Sequence, residues 1–294
     1  MFKKAMDKFK KMDRRTAAQE AGFLLLKLCV LTVILALGTL ILFITLKGFK
    51  VVNFEFITQS PTDGMVHGGI FPAILGTFLL SIGALIFALP TGVLTAVWLT
   101  EYADNQRFVR LVRIGINSLA GVPSIVFGLF GMMFFVKFMQ FGVCLLSGAL
   151  VLGILILPTI IGASEEALLT VPKAFKEASL ALGATRWETM YKVILPNSVS
   201  GIITGIILSV GRAAGETAPI LMTAATFYTA RLPNSVFSKV MALPYHIYAL
   251  MTEGSRKGQT EIAYGTALVL LLLVLAINSV AIFIRIRARR ERKW

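Results

Sequence analysis

Charge is scarce in this chain: Asp, Glu, Lys and Arg make up only 15% of its 294 residues, while 56% are hydrophobic and the mean hydropathy is +0.80. A water-soluble domain of that length needs far more charge to cover its surface. The apolar residues fall in long unbroken runs, the pattern of segments that cross a membrane. Cysteine and histidine are nearly absent too. Cys29 and Cys144 sit inside apolar runs without metal-ligand spacing or any mark of a disulfide. They read as small polarizable packing residues. His67 and His246 stand far apart in predicted loops, so no metal centre is expected. The phosphate-loop pattern G-x-x-x-x-G-K-[ST] does not occur, so the chain is not expected to hydrolyse ATP in the usual way. No catalytic residues are expected either, and a membrane-embedded enzyme fits poorly. The formal charge of +14 gathers at the chain ends and in short loops without interleaved aromatics, which excludes nucleic acid as a partner.

What the chain does have is an all-α pattern of six candidate membrane spans: 23–46, 71–99, 114–136, 142–162, 199–226 and 262–284. Each is long enough to cross about 30 Å of hydrocarbon as a helix. The first run is too long for a signal-peptide core and is read as a retained span. The second and fifth exceed one straight crossing, so tilting or kinking is expected. An even number of spans puts both termini on one side. That side collects 20 Lys and Arg residues against 7 on the other, with Lys27 and Arg212 inside spans. The positive-inside rule therefore places both termini in the cytoplasm. No internal repeat or flexible linker divides the chain. It reads as a basic cytoplasmic N-terminus (1–22), one polytopic membrane domain (23–284) and a basic cytoplasmic C-terminus (285–294), embedded in lipid.

The loop between the fourth and fifth spans, 163–197, is the most informative stretch. Pro172 suits a first helical turn, and Lys173 to Leu182 are good helix formers. Gly183 is a natural residue for the left-handed turn that ends a helix. Thr185 with Glu188 forms a capping-box pattern for a second helix, which Pro196 is expected to stop. Ala174, Ala178 and Ala181 give the first helix a face of small side chains, suited either to packing on its own spans or to close approach by another protein.

The string E-A-S-L-A-L-G from Glu177 to Gly183, followed after nine residues by V-I-L-P ending at Pro196, resembles the EAA loop of ABC-importer permeases. Ser179 replaces the second alanine of the motif and Val193 its usual isoleucine, both mild departures. The resemblance implies that Glu177, Ala178, Ser179 and Gly183 belong to a coupling helix that docks into a cytoplasmic ATPase. Separate ATPase subunits would then use ATP and magnesium, and this chain would bind no cofactor directly.

Arg212 and Glu216 lie near the middle of the fifth apolar segment. Charges at such depth cost about 2.5–3.5 kcal/mol each on insertion scales, and residues four apart share one helix face and can pair. Pro219 cannot donate to the carbonyl of Gly215, so a kink with a free acceptor is expected there. Two readings stand: an internal ion pair that fixes packing, or an arginine on a solute pathway. The second draws on guanidinium's planar fork, which matches oxyanions. Thr217, Asn117 and Ser124 are secondary pathway candidates, Ser124 because Pro123 before it disturbs the third span. Backbone capping is the plainer role for these three.

G-R-A-A-G-E-T-A-P from Gly211 to Pro219, G-V-P-S-I-V-F-G-L-F-G from Gly121 to Gly131 and L-P-Y-H-I-Y from Leu243 to Tyr248 resemble segments of the A-type permeases of bacterial phosphate transport systems. The similarity covers spans two to six. It implies a type I importer permease fold in a bacterial or archaeal cytoplasmic membrane. It also implies a second, related permease chain, two ABC ATPase subunits and an extracytoplasmic phosphate-binding protein. Tyr245, His246 and Tyr248 could touch that binding protein or anchor a short helix at the interface. Permeases for phosphonate, sulfate or molybdate, and a non-transporting membrane sensor or scaffold, are the alternatives.

Overall fold

The computed structural model describes residues 14–62, 65, 67–226, 228–229, 232–252 and 258–290. The basic segment before Arg14, the last four residues, and Arg231, Arg256 and Lys257 lie outside the described residues. Five helical stretches are long and apolar enough to cross a membrane: Ala18–Gly48, Phe71–Tyr102, Leu145–Leu169, Arg186–Gly215 and Gln259–Arg287. A bent pair, Gln106–Ala120 followed by Ser124–Phe138, makes six if the two arms are counted together as one broken span.

The second, fourth and fifth spans form the heart of the domain. Leu80, Ala84 and Ala88 meet Val151, Leu152, Leu155 and Ile156, with Ala213 and Ile220 closing the cluster. Lipid offers no hydrophobic gain for helix association, so close backbone approach through small residues does that work. A Cβ on Gly205 would lie 2.5 Å from the Ala163 Cβ, and one on Gly201 2.5 Å from that of Ala167. These glycines let the fourth and fifth spans run at near-backbone contact. The first span differs: its apolar side chains are exposed along almost its whole length. It touches the last span only near its end, where Phe43 meets Tyr264 edge-on and Lys47 Nζ lies about 5 Å from both rings.

The third span is not the single helix 114–136 expected. Its two arms meet at 99°. Pro123 disfavours a helical conformation at Val122, and Gly121 caps the first arm. The first arm, Gln106–Ala120, is capped at Asn105, whose side chain accepts from the Arg107 and Phe108 amides. The fourth span runs on to Leu169 instead of stopping at Gly162, so the connecting loop opens at Thr170. Its extra turns carry Glu165, which pairs with Arg113 of the third span's first arm.

Pro196 does not stop the second loop helix. Arg186–Thr189 passes through a wide π-type turn, Met190–Ile194, directly into the helix Leu195–Gly215, with Pro196 in that helix's first turn. The Leu195 amide reaches back to the Met190 carbonyl, and the widened turn accommodates a proline that an ordinary helix interior would reject. Similar wide turns end the second span at Trp98–Tyr102 and the third at Met132–Phe138.

On the far side from the loop, an outer layer closes over the bundle. It contains the hairpin pairing Pro61–Thr62 with His67–Gly68, and the helix Leu243–Thr252. Met65 within it is buried with φ 67°. The start of the fourth span is tied into this layer: the amides of Cys144, Leu145 and Leu146 donate to the carbonyls of Thr223, Ser238 and Val236. The Ser147 amide turns to the Cys144 Sγ at 3.5 Å.

Candidate functional site: a broken span and a docking loop

The fifth span ends its regular helix at Gly215. Glu216 adopts an extended conformation (φ −73°, ψ 133°), Thr217 follows at φ −111°, ψ −52°, and a short helix, Ala218–Thr223, resumes. Glu216 is therefore not on a continuous helix face with Arg212, as its spacing suggested. The disturbance expected at Gly215 is a full break and not a kink, and Pro219 sits in the first turn of the helix that resumes after it. Arg212 occupies the last turn before the break, where a cation is favoured by the carbonyl end of the helix. Its Nε lies 3.5 Å from Glu216 Oε1, with side-chain exposures of 36% and 17%. The two charges are partnered but incompletely enclosed.

This break packs on the other one. A Cβ at Gly128 would meet the Ala218 carbonyl oxygen at 3.0 Å and the Pro219 Cα at 3.1 Å, and one at Gly131 would meet Thr223 Cγ2 at 2.9 Å. The second arm of the third span and the helix Ala218–Thr223 thus run side by side in the same direction. That brings Ser124, at the start of the arm, to the same end of the pair as Glu216 and Thr217. Ser124 and Thr217 are half-buried, and the Thr217 hydroxyl makes no capping bond. Asn117 is not brought in: it lies exposed on the first arm, which packs against the fourth span across the bend. Among the described residues no three Asp, Glu, His or Cys side chains gather as a metal site.

The loop holds the second feature. Lys173–Ala181 is a helix closed by Gly183 at φ +85°. The Ala184 amide donates to the Ser179 carbonyl and the Gly183 amide to that of Leu180, the paired bonds of a Schellman turn. Thr185 and Glu188 then form both halves of a capping box. Ala174, Ala178 and Ala181 lie exposed, as do Glu177 and, at 90%, Leu182. Trp187 and Tyr191 extend the exposed apolar surface. Ser179 departs from this exposed face: its hydroxyl pairs with that of Thr189 at 2.9 Å.

His246 is 1% exposed, with both ring nitrogens unpartnered among the described residues. Burial pushes its pKa down to about 4, and it offers no surface to a binding protein. Tyr248 is exposed and stacks on Tyr245 with centroids 6.4 Å apart. Two long-range ion pairs escaped the sequence, Lys176 with Glu101 and Arg113 with Glu165. Their signal was acidic residues beside apolar spans in a strongly basic chain.

A bundle of membrane helices with a broken charged span and an exposed interhelical loop defines a transport subunit. The chain belongs to the family of binding-protein-dependent transport system inner membrane components, whose match covers residues 88–293. It is a multi-pass cytoplasmic-membrane permease and not itself an enzyme. It is 35% identical over 266 residues to the probable ABC transporter permease protein YqgI of Bacillus subtilis strain 168, covering 86% of this chain and 90% of that protein. It is 38% identical over 227 residues to phosphate transport system permease protein PstA 1 of Mycobacterium tuberculosis H37Rv, covering 77% and 72%. Its fold is similar to a chain of a bacterial alginate ABC transporter crystallised with a pentasaccharide-bound periplasmic protein. The TM-score there is 0.64 at 16% identity, covering 92% of this chain and 96% of that one.

Proposed function

We propose that this chain is a translocating subunit of an ATP-driven phosphate importer, with Arg212 on the phosphate pathway. The observation that carries this reading is the guanidinium at the broken span, partly exposed and held at 3.5 Å by a single carboxylate. Guanidinium remains charged at any relevant pH and matches phosphate oxygens with two parallel donors. Glu216 neutralises it while the pathway is empty and yields when an oxyanion arrives. Thr217 and Ser124 add hydroxyls at the same end of the paired helices. Relatives named as phosphate permeases, at 31–38% identity, support phosphate over other oxyanions.

Glu177, Ala178 and Gly183 present the loop helix to one of two ABC ATPase subunits, which supply ATP hydrolysis with magnesium. A second, related permease completes the pathway, and an extracytoplasmic phosphate-binding protein delivers to it. Both termini face the cytoplasm, from the 20-to-7 distribution of basic residues. Cysteines placed at the exposed positions His67 and Thr252 should react with an impermeant thiol reagent on intact cells. Silence at both would invert the orientation.

The test of the pathway is labelled phosphate uptake in vesicles holding the partner permease, ATPase and binding protein. If the pair only fixes packing, Arg212→Met/Glu216→Leu should transport normally, because buried pairs often exchange for apolar residues without loss. On the pathway reading the double variant assembles and takes up almost no phosphate. Arg212→Lys is also impaired, since a point charge lacks the planar fork. Near-normal uptake by the assembled double variant would falsify the pathway role. Equal competition by sulfate would shift the substrate to oxyanions in general.

A further inference from the structure

The helix that carries the docking surface is barely packed. All nine residues of Lys173–Ala181 remain at least partly accessible, and its backbone lies mainly against Arg186–Ile194, the segment leading into the fifth span. Three side chains hold it. Phe175 packs on a cluster formed by Ala96, Val97, Leu99, Leu168, Met190 and Ile194. Ser179 bonds Thr189, on the fifth-span side. Lys176 bonds Glu101, at the end of the second span. Between the helix and the second span lies a cavity of about 380 Å³, lined among others by Thr100, Glu101, Lys173, Lys176, Glu177 and Leu180. Apart from Phe175, which reaches Ala96, Val97 and Leu99, the connection of the loop helix to the second span is an ion pair beside open space.

The ends of this connection are unequal. Glu101 stands inside the wide turn Trp98–Tyr102 and is 20% exposed; Lys176 is 40% exposed. Wide turns in helices occur preferentially at functional sites. A solvent-screened pair of this kind contributes little to stability, so its placement is better explained by geometry than by holding the fold together. The second span supplies Leu80, Ala84 and Ala88 to the cluster that also holds Ala213, next to Arg212. Any displacement passed to Glu101 enters the helix that backs the broken span.

We propose that the Lys176–Glu101 pair is a positioning link that makes the second span follow the docking helix, so that ATPase movements reach the pathway through the second span as well as through the fourth and fifth spans that the loop joins. This rests on the reading of the chain as an ATP-driven phosphate permease. Lys176 and Glu101 touch neither phosphate nor nucleotide; they act through the spans they connect.

The experiment compares phosphate uptake with ATP hydrolysis in proteoliposomes containing the whole complex and the binding protein. Lys176→Met and Glu101→Gln should each assemble with the ATPase, yet move roughly tenfold less phosphate per ATP, within the range shown by residues on coupling routes. Lys176→Arg, and the exchanged pair Lys176→Glu/Glu101→Lys, should recover most of the ratio, which a general loosening of the loop would not produce. A wild-type phosphate-per-ATP ratio in both single variants overturns the link. So does an exchanged pair no better than its singles, or a loss explained wholly by failed assembly. Absence of ATP-driven phosphate uptake in the wild-type complex overturns the functional reading and the link together.

Discussion

A helix stops at Gly183 and another at Gly215, and the two stops are made in opposite ways. The corner at Gly183 is written in consecutive residues: two backbone bonds back to Ser179 and Leu180, one left-handed glycine, and a capping box from Thr185 to Glu188. No atom approaches within 4 Å of a Cβ built on Gly183. The break after Gly215 has only Pro219 as a local mark; the Thr217 side chain makes no cap bond. Its resumed helix is held by Gly128 and Gly131 from another span, the latter within 2.1 Å of Val151 Cγ2 if given a Cβ. A local stop survives in isolation. A stop built by distant partners exists only in the assembled bundle.

The widest separation between the two regions should come from adding bulk. Gly131→Val forces atoms into Val151 and Thr223, and overpacking of this kind costs about 3 kcal/mol or less unless the backbone yields. We expect the variant to unfold at markedly lower temperature in detergent and to lose uptake. A melting temperature equal to wild type would mean the break does not depend on its neighbours.

His246 offers a second way to probe the assembled half. Its folded pKa near 4 lies below the ordinary 6.5, so the unfolded chain binds the proton more readily. The stabilising effect of burying neutral imidazole is complete above pH 6.5 and lost as pH falls toward 4. At pH 5 the loss amounts to about 2 kcal/mol. His246→Phe should flatten the pH dependence of thermal unfolding between pH 7.5 and 5. An unchanged slope in that variant would remove His246 as its source.

The smallest effect on stability is expected at the corner. Gly183→Val meets no steric obstacle, only the strain of a side chain at positive φ, about 1–2 kcal/mol. The spans should insert and pack normally while ATPase binding and uptake are lost. Gly183→Asn, which tolerates the left-handed region, should retain most of both. Normal transport-coupled ATPase activity in Gly183→Val would refute the docking role.

The same contrast explains what could be read from the chain alone. The spans follow from apolar runs, and the loop helix, its glycine and its capping box from residues adjacent in sequence. Arg212 and Glu216 stood out because charge at membrane depth is rare. The structure then departed wherever a distant contact decided. Pro196 reads as a stop, because nothing local shows that a wide turn precedes it and leaves it in a first helical position. The third span reads as one helix disturbed at Pro123; the 99° bend depends on where the second arm packs. His246 reads as a loop residue from the sequence, and the outer layer buries it. Lys176 and Glu101 are 75 residues apart, and no periodicity joins them.

The amides that begin the fourth span bear on selectivity. A free helix start is a ready site for a negatively charged solute. Here Cys144, Leu145, Leu146 and Ser147 each already donate, three of them to carbonyls of the 223–238 segment. The outer layer thereby silences an anion trap at this end of the bundle: the helix start is occupied by the chain's own carbonyls and sulfur and offers no free amide to a negatively charged solute.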